Sequence, residues 1–305
     1  MNSPSAKTKP LYVCGPTASG KSGLSIELAR KFDGEIVNAD AFQIYIGLEI
    51  LSAAPTREEL ACVPHHLYGV LEPDEPCDAM RYREMAMATI EEIQSRGKTP
   101  IVTGGSGMYL KFLTHGPSPV PSADETLRAE LEKESDEVLA ARLTTLDPDG
   151  AAATNLKNRR YVIRALEICI LTGSKMSEVK SHWKQSSDMI ESMLRGVYLV
   201  WDRETLRQRI NRRTEMMLDM GAVDEVAALG VVSATCEKAI GVSHIRALLA
   251  GELTREECGE RIAAATRQYA KRQRTWFGKE KWLQHWNVDE STSLERLAEQ
   301  IISHA

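Results

Sequence analysis

The chain has 305 residues, of which 43% are hydrophobic and 27% charged, and its 38 Lys and Arg against 43 Asp and Glu give a formal net charge of -5. This length fits one large α/β domain, or a core domain with a smaller one, and the apolar content excludes a disordered chain. No uncharged apolar run approaches the roughly 20 residues of a membrane span. The net acidity argues against a nucleic-acid-binding protein, although it averages over surfaces that can differ in sign.

The first third of the chain alternates strand and helix signals. The apolar run 11–14 stops at a glycine, and an amphipathic helical pattern follows the turn. Residues 35–40 predict a second strand that ends on an aspartate, and residues 101–103 predict a third, which follows a helical segment at residues 79–96. Strands that alternate with helices in this way predict a parallel sheet with helical crossover connections.

A helix-rich region follows a break in the chain after Gly116. The break contains three prolines, Pro117, Pro119 and Pro121. Residues 124–141 predict an acidic amphipathic helix and residues 159–171 a basic one, and no strand-like run occurs before residue 197. We interpret this region as a helical insertion into the α/β core.

The strand signal returns at residues 197–202, which end on Asp202, and the remainder of the chain is mostly helical. We therefore predict a parallel-sheet α/β core with C-terminal helices, formed by residues 1–115 and 194–305. An all-helical domain at residues 116–193 is inserted into it.

The turn between the first strand and the first helix fits the phosphate-loop motif G-x-x-x-x-G-K-S/T at every fixed position. Its glycines let the backbone curl so that successive N–H groups face one cavity, where the helix N-terminus adds its partial positive charge. Lys21 then reaches the terminal phosphate, and the Ser22 hydroxyl is a ligand for a magnesium ion. The motif predicts a P-loop NTPase-like core that binds a di- or triphosphate. It consists of Gly15, Pro16, Thr17, Ala18, Ser19, Gly20, Lys21 and Ser22.

The loop alone leaves the reaction open. A nucleotide hydrolase or kinase needs an acid at the end of a neighbouring strand, and both Asp40 and Asp202 hold such positions. A third strand ends in two glycines and the Ser106 hydroxyl, which indicates either a close approach to a ligand or an ordinary strand-to-helix turn. A small-molecule P-loop kinase, supported by the loop and Asp202, is therefore one alternative.

Several further segments resolve this ambiguity. They are NADAFQIY (38–45), VPHHL (63–67), GGSGMY (104–109), RALE (164–167) with Thr172-Gly173, KAIG (238–241) and TRQYAKRQRTW (266–276). In this order and with the phosphate loop, from about residue 11 to residue 276, the chain resembles the tRNA dimethylallyltransferases, which transfer a five-carbon prenyl group to N6 of adenine. Many kinases share the phosphate loop, but the combination is specific to that family.

The resemblance implies that the loop binds the pyrophosphate of dimethylallyl diphosphate, not ATP, with Mg²⁺ as cofactor. Lys21, the metal ion and backbone donors then stabilise the leaving group as the C–O bond breaks. Arg213 matches the family's pyrophosphate-binding arginine. The expected diphosphate-binding residues are Gly15, Thr17, Ala18, Ser19, Gly20, Lys21, Ser22 and Arg213, and the expected metal ligand is Ser22.

The same resemblance implies which residues bind and activate the acceptor, the adenine of a tRNA. Asp40 matches the family's base, which takes a proton from the exocyclic amine, and Ser106 matches a hydroxyl that contacts the nucleotide, so both are expected to be catalytic. Gln43 fits the side that recognises the flipped-out adenine. The insertion resembles the family's helical arm, which clasps the anticodon stem–loop. The expected tRNA-binding residues are Asp40, Ala41, Phe42, Gln43, Ser106, Arg128, Arg160, Arg164 and Lys271.

The resemblance further implies that the substrate is adenosine 37 of tRNAs that read codons beginning with U. The charge distribution is compatible with an RNA substrate. Acidic residues concentrate at residues 124–137 and 252–260, and basic residues at 159–164 and 267–274. Although the net charge is negative, the acidic and basic residues are concentrated in different segments. We therefore expect a salt-dependent contact with tRNA on one face.

Three segments depart from the family's pattern. Ala41 replaces the usual serine beside the base, residues 155–159 differ from the usual turn before the arginine-rich helix, and Val242-Ser243 replaces an aromatic-plus-basic pair. We still predict an active enzyme. Two alternatives remain beside the kinase: a prenyltransferase that acts on free AMP, ADP or ATP, which has no need of the insertion, and an RNA-binding relative that the change to Ala41 has inactivated.

The remaining reactive residues predict no additional chemistry. The six cysteines have no C-x-x-C or metal-ligand spacing, and residues 1–10 contain no apolar segment of a secretory signal, so we expect reduced thiols in a cytoplasmic protein. His65 and His66 are neighbours on a strand and point to opposite faces, so we interpret them as structural. We expect a monomer with no obligate protein partner and no membrane contact.

Overall fold

The computed structural model describes residues 8–117, 121 and 124–304. Pro119 of the proline break and residues 1–7 of the N-terminal segment lie outside this part of the chain. The chain divides into two compact units, which we name the α/β unit (Met1–Thr114 with Leu194–Ala305) and the helical unit (His115–Met193). Within the described ranges, no helix is long and apolar enough to cross a membrane.

The α/β unit contains one parallel sheet. Its described strands are β1 (Leu11–Cys14), β2 (Gly34–Asn38), β3 (His65–His66), β4 (Thr99–Gly104), β5 (Arg195–Trp201) and β6 (Leu283–Val288). They are ordered β3-β2-β4-β1-β5-β6, and every pair is parallel. β1 is flanked by β4 and β5 and is buried along its whole length, as expected for a parallel strand covered on both faces. The predicted α/β fold is confirmed.

Helices connect these strands and build the second unit. In chain order they are α1 (Lys21–Lys31), α2 (Arg57–Cys62), α3 (Ala79–Ser95), α4 (Gly107–His115), α5 (Glu125–Leu131), α6 (Asp136–Leu146), α7 (Pro148–Ala152), α8 (Arg159–Thr172), α9 (Met176–Glu191), α10 (Arg203–Asp219), α11 (Ala222–Ala228), α12 (Val242–Leu249), α13 (Arg255–Phe277) and α14 (Leu294–Ser303). A single turn of 3-10 helix lies at Cys236–Lys238, between α11 and α12.

Alternate residues of β1 pack on opposite faces of the sheet. Leu11 and Val13 belong to the apolar cluster that includes Leu24 of α1, whereas Tyr12 belongs to the cluster that includes Tyr82 of α3. Because helices cover both faces, the open side of the sheet is its carboxyl edge, where the turn after β1 begins. Open α/β sheets bind their ligands at this edge.

The helical unit has its own apolar core, built around Leu131, Leu143 and Leu166. The single helix predicted over residues 124–141 is wrong: the structure has two helices, α5 and α6. The hydroxyl of Ser135 accepts a hydrogen bond from the backbone N–H of Val138 and so caps the start of a new helix. The basic helix is α8, which ends at a left-handed Gly173.

The prediction of a mostly helical C-terminal region overlooked β6. Only the first and last residues of this strand, Leu283 and Val288, are buried, because β6 lies at the edge of the sheet beside β5. A strand of this kind carries no apolar run that would distinguish it from a loop in the sequence.

Candidate active site

The phosphate loop has the conformation that its motif predicts. Ala18 and Gly20 both have positive φ, 64° and 85°, and Gly20 precedes α1 without a side-chain cap. Glycine adopts such an angle without strain, so the chain can turn directly from β1 into the helix. At Gly15, a Cβ would lie 2.7 Å from the Ser19 hydroxyl, so a side chain there would displace this hydroxyl. The N-terminal N–H groups of α1 face the turn.

Side chains from β5 and α10 hold the loop from behind. Arg209 Nε donates to the carbonyl of Ala18 and Trp201 Nε1 to the carbonyl of Ser19, each at 2.9 Å. The Arg209 guanidinium also lies over the Trp201 ring, 4.4 Å from its centroid. These bonds hold the carbonyls of Ala18 and Ser19 in place and so fix the conformation of the loop, as an anion-binding turn requires.

Two cations stand at this loop beside a single carboxylate. Lys21 is half-buried and donates to the carbonyl of Pro16 at 2.9 Å, while Arg213 donates to the hydroxyl of Thr17. Burial lowers the pKa of Lys21 to about 8, opposed by the charge of Asp40 and reinforced by Arg213. Burial also lowers the pKa of Arg213 to about 10, again opposed by Asp40. The site thus holds excess positive charge that a polyanion would compensate.

Asp40 and Ser106 are joined by the turn that follows β2. Asp40 Oδ1 accepts from the backbone N–H of Phe42 at 3.0 Å, and the Ser106 hydroxyl accepts from the backbone N–H of Ala41 at 2.9 Å. Asn38 holds the start of the turn, because its Oδ1 accepts from the N–H of Asp40 at 2.8 Å. The two residues expected to be catalytic therefore lie together, since β2 and β4 are adjacent in the sheet.

A cavity of about 50 Å³ lies beside the phosphate loop. Thr17, Asp40 and Arg213 supply polar groups to its wall. The Ser52 hydroxyl is buried there without a hydrogen-bond partner in the described part of the chain. The apolar part of the wall consists of Phe42, Leu48, Leu51, Met217, Ala239, Ile240 and Ile262. Such a wall suits a ligand that combines phosphate with a hydrocarbon group.

The sequence interpretation missed the contribution of α13 to this cavity. Thr266 and Tyr269 line it, and the buried Gln273 lies one turn farther along the same face. Gln273 Oε1 accepts from the N–H of Thr17 at 2.8 Å, and its Nε2 donates to the carbonyl of Gly105 at 2.9 Å. A Cβ at Gly105 would lie 2.2 Å from this Nε2, so the close contact requires glycine. The helical spacing within residues 266–276 indicated that these side chains share one face of a helix, but not which groups they contact.

In the structure Gln43 contacts backbone carbonyls, whereas it was expected to contact adenine. Its Nε2 donates to the carbonyls of Ser52 and Ala53 at 3.1 and 2.7 Å, and Ala53 has a left-handed φ of 54°. In this structure Gln43 therefore stabilises the turn that carries Ser52 into the cavity wall.

Two of the three arginines expected to contact RNA in the helical unit bind the same acid. Arg128 makes a bidentate pair with the buried Glu167, at 2.8 and 2.9 Å, and Arg164 donates to the same carboxylate at 3.0 Å. Arg160 is exposed in the first turn of α8. Lys271, the remaining cation expected to contact tRNA, is exposed on α13 of the α/β unit.

Two other candidate groups have structural partners. The carboxylate of Asp202 caps α10, because its Oδ2 accepts from the N–H groups of Glu204 and Thr205 at 2.9 Å each, which weakens the case for a kinase metal site there. His66 Nε2 lies 2.7 Å from the buried Glu35. All six cysteines are free, and the part of the chain that the structure describes holds no cluster of three His, Cys, Asp or Glu fit for a metal ion.

Comparison with known sequences assigns this arrangement to a family. Residues 43–280 match the family model described as IPP transferase. The chain is 46% identical to a tRNA dimethylallyltransferase of Akkermansia muciniphila, over 96% of this chain and 98% of that one. It is 40% identical to the tRNA dimethylallyltransferase of Geobacter sulfurreducens, over 93% and 94% of the two chains.

Solved structures give the same result. The tRNA isopentenylpyrophosphate transferase of Bacillus halodurans superposes with a TM-score of 0.70 at 33% identity, over 97% of this chain and 96% of that one. A eukaryotic dimethylallyltransferase, described as acting on tRNA, superposes with a TM-score of 0.75 at 30% identity, over 97% and 80%.

Proposed function

This chain belongs to the IPP transferase family of tRNA dimethylallyltransferases, and we propose that it transfers the dimethylallyl group of dimethylallyl diphosphate to N6 of adenosine 37 in tRNAs that read codons beginning with U. The products are N6-isopentenyladenosine and diphosphate. The observation that carries this proposal is the cavity beside the phosphate loop, in which Arg213 and Asp40 stand next to a hydrocarbon-lined wall.

The phosphate loop supplies the leaving-group half of the reaction. The bond between the dimethylallyl carbon and the diphosphate oxygen breaks, and the electron pair leaves with the diphosphate. Loop N–H groups, Lys21 and Arg213 stabilise this developing charge, in surroundings where burial strengthens each interaction. The apolar wall, which includes Leu51 and Ile262, holds the five-carbon group.

Asp40 and Ser106 supply the acceptor half. N6 of the flipped-out adenine forms the new bond to the dimethylallyl carbon and must lose a proton. Asp40 Oδ2 takes this proton, because Oδ1 is held by the N–H of Phe42. The Ser106 hydroxyl contacts the nucleotide. It accepts from the N–H of Ala41 and can donate its own proton to the base.

A divalent metal ion fits the donor set of the loop. The Ser22 hydroxyl lies in the first turn of α1, directly after Lys21, and oxygen is the donor that Mg²⁺ prefers. We propose that Ser22 would hold Mg²⁺ together with the bound diphosphate, and that the ion would supply further charge neutralisation to the leaving group.

The helical unit and α13 provide the RNA contacts. We propose that Arg128, Arg160 and Arg164 bind phosphates of the anticodon stem–loop, and that Lys271 binds them from the α/β unit. We propose that a single copy of the chain contains the complete active site and that the enzyme is a monomer. We assign the reaction to the cytoplasm, where tRNA is matured and used.

The direct test is transfer of radiolabel from dimethylallyl diphosphate to total tRNA, measured beside a matched assay with free AMP. Label in tRNA alone is the expected result. Labelling of AMP alone would replace the proposal with a free-nucleotide prenyltransferase. Phosphoryl transfer from ATP without prenyl transfer would favour the kinase, and tRNA binding without turnover would indicate an inactive RNA-binding relative.

A second test identifies the modified position. Mass spectrometry of tRNA from a strain that lacks the gene is expected to show unmodified adenosine 37, and restoring the gene is expected to return the isopentenyl group. Full isopentenylation in the deletion strain would contradict the proposal.

A further inference from the structure

Glu167 is a buried acid in the helical unit that contacts two arginines at once. Arg128 comes to it from α5 and Arg164 from its own helix, α8. We propose that Glu167 is a positioning residue, which holds both guanidinium groups in the orientation that binds RNA phosphates. The proposal rests on the proposed function, in which these arginines contact the anticodon stem–loop.

The hydrogen bonds fix both guanidinium planes. Arg128 uses Nε and Nη2, at 2.8 and 2.9 Å, so its Nη1 takes no part in the pair with Glu167. Arg164 uses Nη1 for Glu167 at 3.0 Å and Nη2 for the carbonyl of Pro121 at 2.6 Å. A guanidinium held at two points has lost most of its rotational freedom, and its remaining N–H groups point in a set direction.

Burial separates the acid from the cations. Glu167 is fully buried, whereas the side chains of Arg128 and Arg164 remain 41% and 34% exposed. The carboxylate is thus inaccessible to RNA, while parts of both arginines remain accessible. The three groups together carry a net charge of +1, and the charges of Glu125 and Glu132 also act on Arg128.

A core role alone does not require an acid at this position. The rest of the buried face of α8 is apolar, with Val162, Leu166 and Cys169 in the same cluster. A buried carboxylate costs desolvation energy that an apolar side chain of similar size would avoid. The acid at residue 167 therefore points to a function that an apolar residue lacks, which is to orient the arginines.

Simple electrostatics and positioning predict opposite changes in RNA affinity when this acid is removed. Replacing Glu167 by a neutral residue makes the local charge more positive by one unit, so charge alone predicts tighter RNA binding and a steeper salt dependence. If orientation matters more, the arginines become mobile and must be ordered again upon binding, so RNA binding weakens.

The test is Glu167→Gln, with the affinity for an anticodon stem–loop RNA measured over a series of salt concentrations. We expect affinity to fall by about tenfold, and the slope of log affinity against log salt to shrink by about one for each RNA phosphate that the arginines no longer bind. The KM for dimethylallyl diphosphate and the kcat at saturating RNA should stay within about twofold, because the reaction site is in the other unit.

Glu134→Gln is the matched control. It makes the same change of charge in the same unit and releases Arg142, which pairs with Glu134 at 2.8 Å. We expect RNA affinity to change by less than about twofold, since the Glu134 side chain is 30% exposed and holds one arginine, whereas Glu167 is fully buried and holds two. Glu167→Asp keeps the charge on a shorter side chain and should recover part of the affinity. In an Arg128→Gln background, Glu167→Gln should cost less than in the wild-type protein.

Unchanged or tighter RNA binding by Glu167→Gln would overturn the proposal. So would a loss that is equally large in the Arg128→Gln background. A parallel loss of kcat and of affinity for dimethylallyl diphosphate would indicate a general structural role and would overturn it as well. Failure of the wild-type protein to prenylate tRNA, by contrast, would count against the proposed function itself.

Discussion

The α/β unit and the helical unit arrange charge in opposite ways. In the α/β unit two half-buried cations, Lys21 and Arg213, share the carboxylate of Asp40, and burial lowers the pKa of both. In the helical unit the acid, Glu167, is the buried group, and its two arginines stay a third or more exposed. Enclosed cations suit a small anion that can be desolvated, whereas exposed cations suit a large polyanion that remains in solvent.

This difference implies a division of labour. Substitutions around the phosphate loop should alter the chemical step and the binding of the diphosphate. Those around Glu167 should alter RNA affinity and its salt dependence. A substitution in one unit that alters the property assigned to the other unit would contradict this division.

The largest effect is expected for Asp40→Ala. Loss of the base should lower kcat by about 10³-fold, because N6 then has no carboxylate to take its proton, whereas affinity for tRNA should stay within about twofold. Single-turnover prenyl transfer and RNA binding measure the two quantities separately. An equal loss of both would mean that Asp40 positions the RNA instead of accepting the proton.

Asp202→Ala is the matched control, since both aspartates follow strands of the same sheet. Its carboxylate caps α10, so the variant should lose about 1 kcal/mol of stability and keep its kcat. A large loss of kcat in Asp202→Ala would favour the kinase alternative.

Lys21→Met should lower kcat/KM for dimethylallyl diphosphate by about 10²-fold, because one charge that stabilises the leaving group is removed. Steady-state kinetics at saturating tRNA measure this value. Lys31→Met, on the same helix, removes a surface charge that pairs with Glu299 and should leave the kinetics unchanged. An effect of Lys21→Met on RNA affinity alone would contradict the assignment of this lysine to the diphosphate.

The pKa of Lys21, at about 8, gives the binding of the diphosphate a pH dependence. The folded protein loses this proton as the pH rises through 8, so the cation is present below that pH and absent above it. The KM for dimethylallyl diphosphate should rise by up to about tenfold per pH unit above 8. Lys21→Arg keeps its charge and should remove the inflection. Persistence of the inflection in Lys21→Arg would assign the titration to another group.

Gln273→Leu should lower kcat/KM for dimethylallyl diphosphate by about fivefold, because the N–H of Thr17 and the carbonyl of Gly105 lose their buried partner. Thermal unfolding should reveal a loss of about 1–3 kcal/mol. Gln268→Leu, at an exposed position on the same helix, is the control and should change neither value. Unaltered kinetics in a destabilised Gln273→Leu protein would reduce Gln273 to a packing role.

The parts of this site that were predictable from sequence are the local ones. The phosphate loop consists of consecutive residues, and Asp40 and Ser106 follow strands that a parallel sheet brings to one edge. Gln273 was missed because its bond to Thr17 spans 256 positions, and nothing in a helical glutamine indicates which backbone group it will meet. For Glu167, the sequence contained the acid within a recognised segment, but its contact with Arg128 depends on how α5 packs on α8.

The smallest effect is expected for Ala41→Ser, which restores the hydroxyl that the family usually carries beside the base. The N–H of Ala41 already binds the Ser106 hydroxyl, so the position of the turn depends on the backbone and not on the side chain of residue 41. We therefore expect kcat to change by less than about threefold and RNA affinity to stay constant, since the bond between the N–H of residue 41 and the Ser106 hydroxyl is available in both proteins. Prenyl transfer at saturating substrates measures the change. A gain of tenfold or more would mean that this chain works with an impaired base, and that the α/β unit needs a hydroxyl at residue 41 as well as Asp40 and Ser106 to transfer the proton.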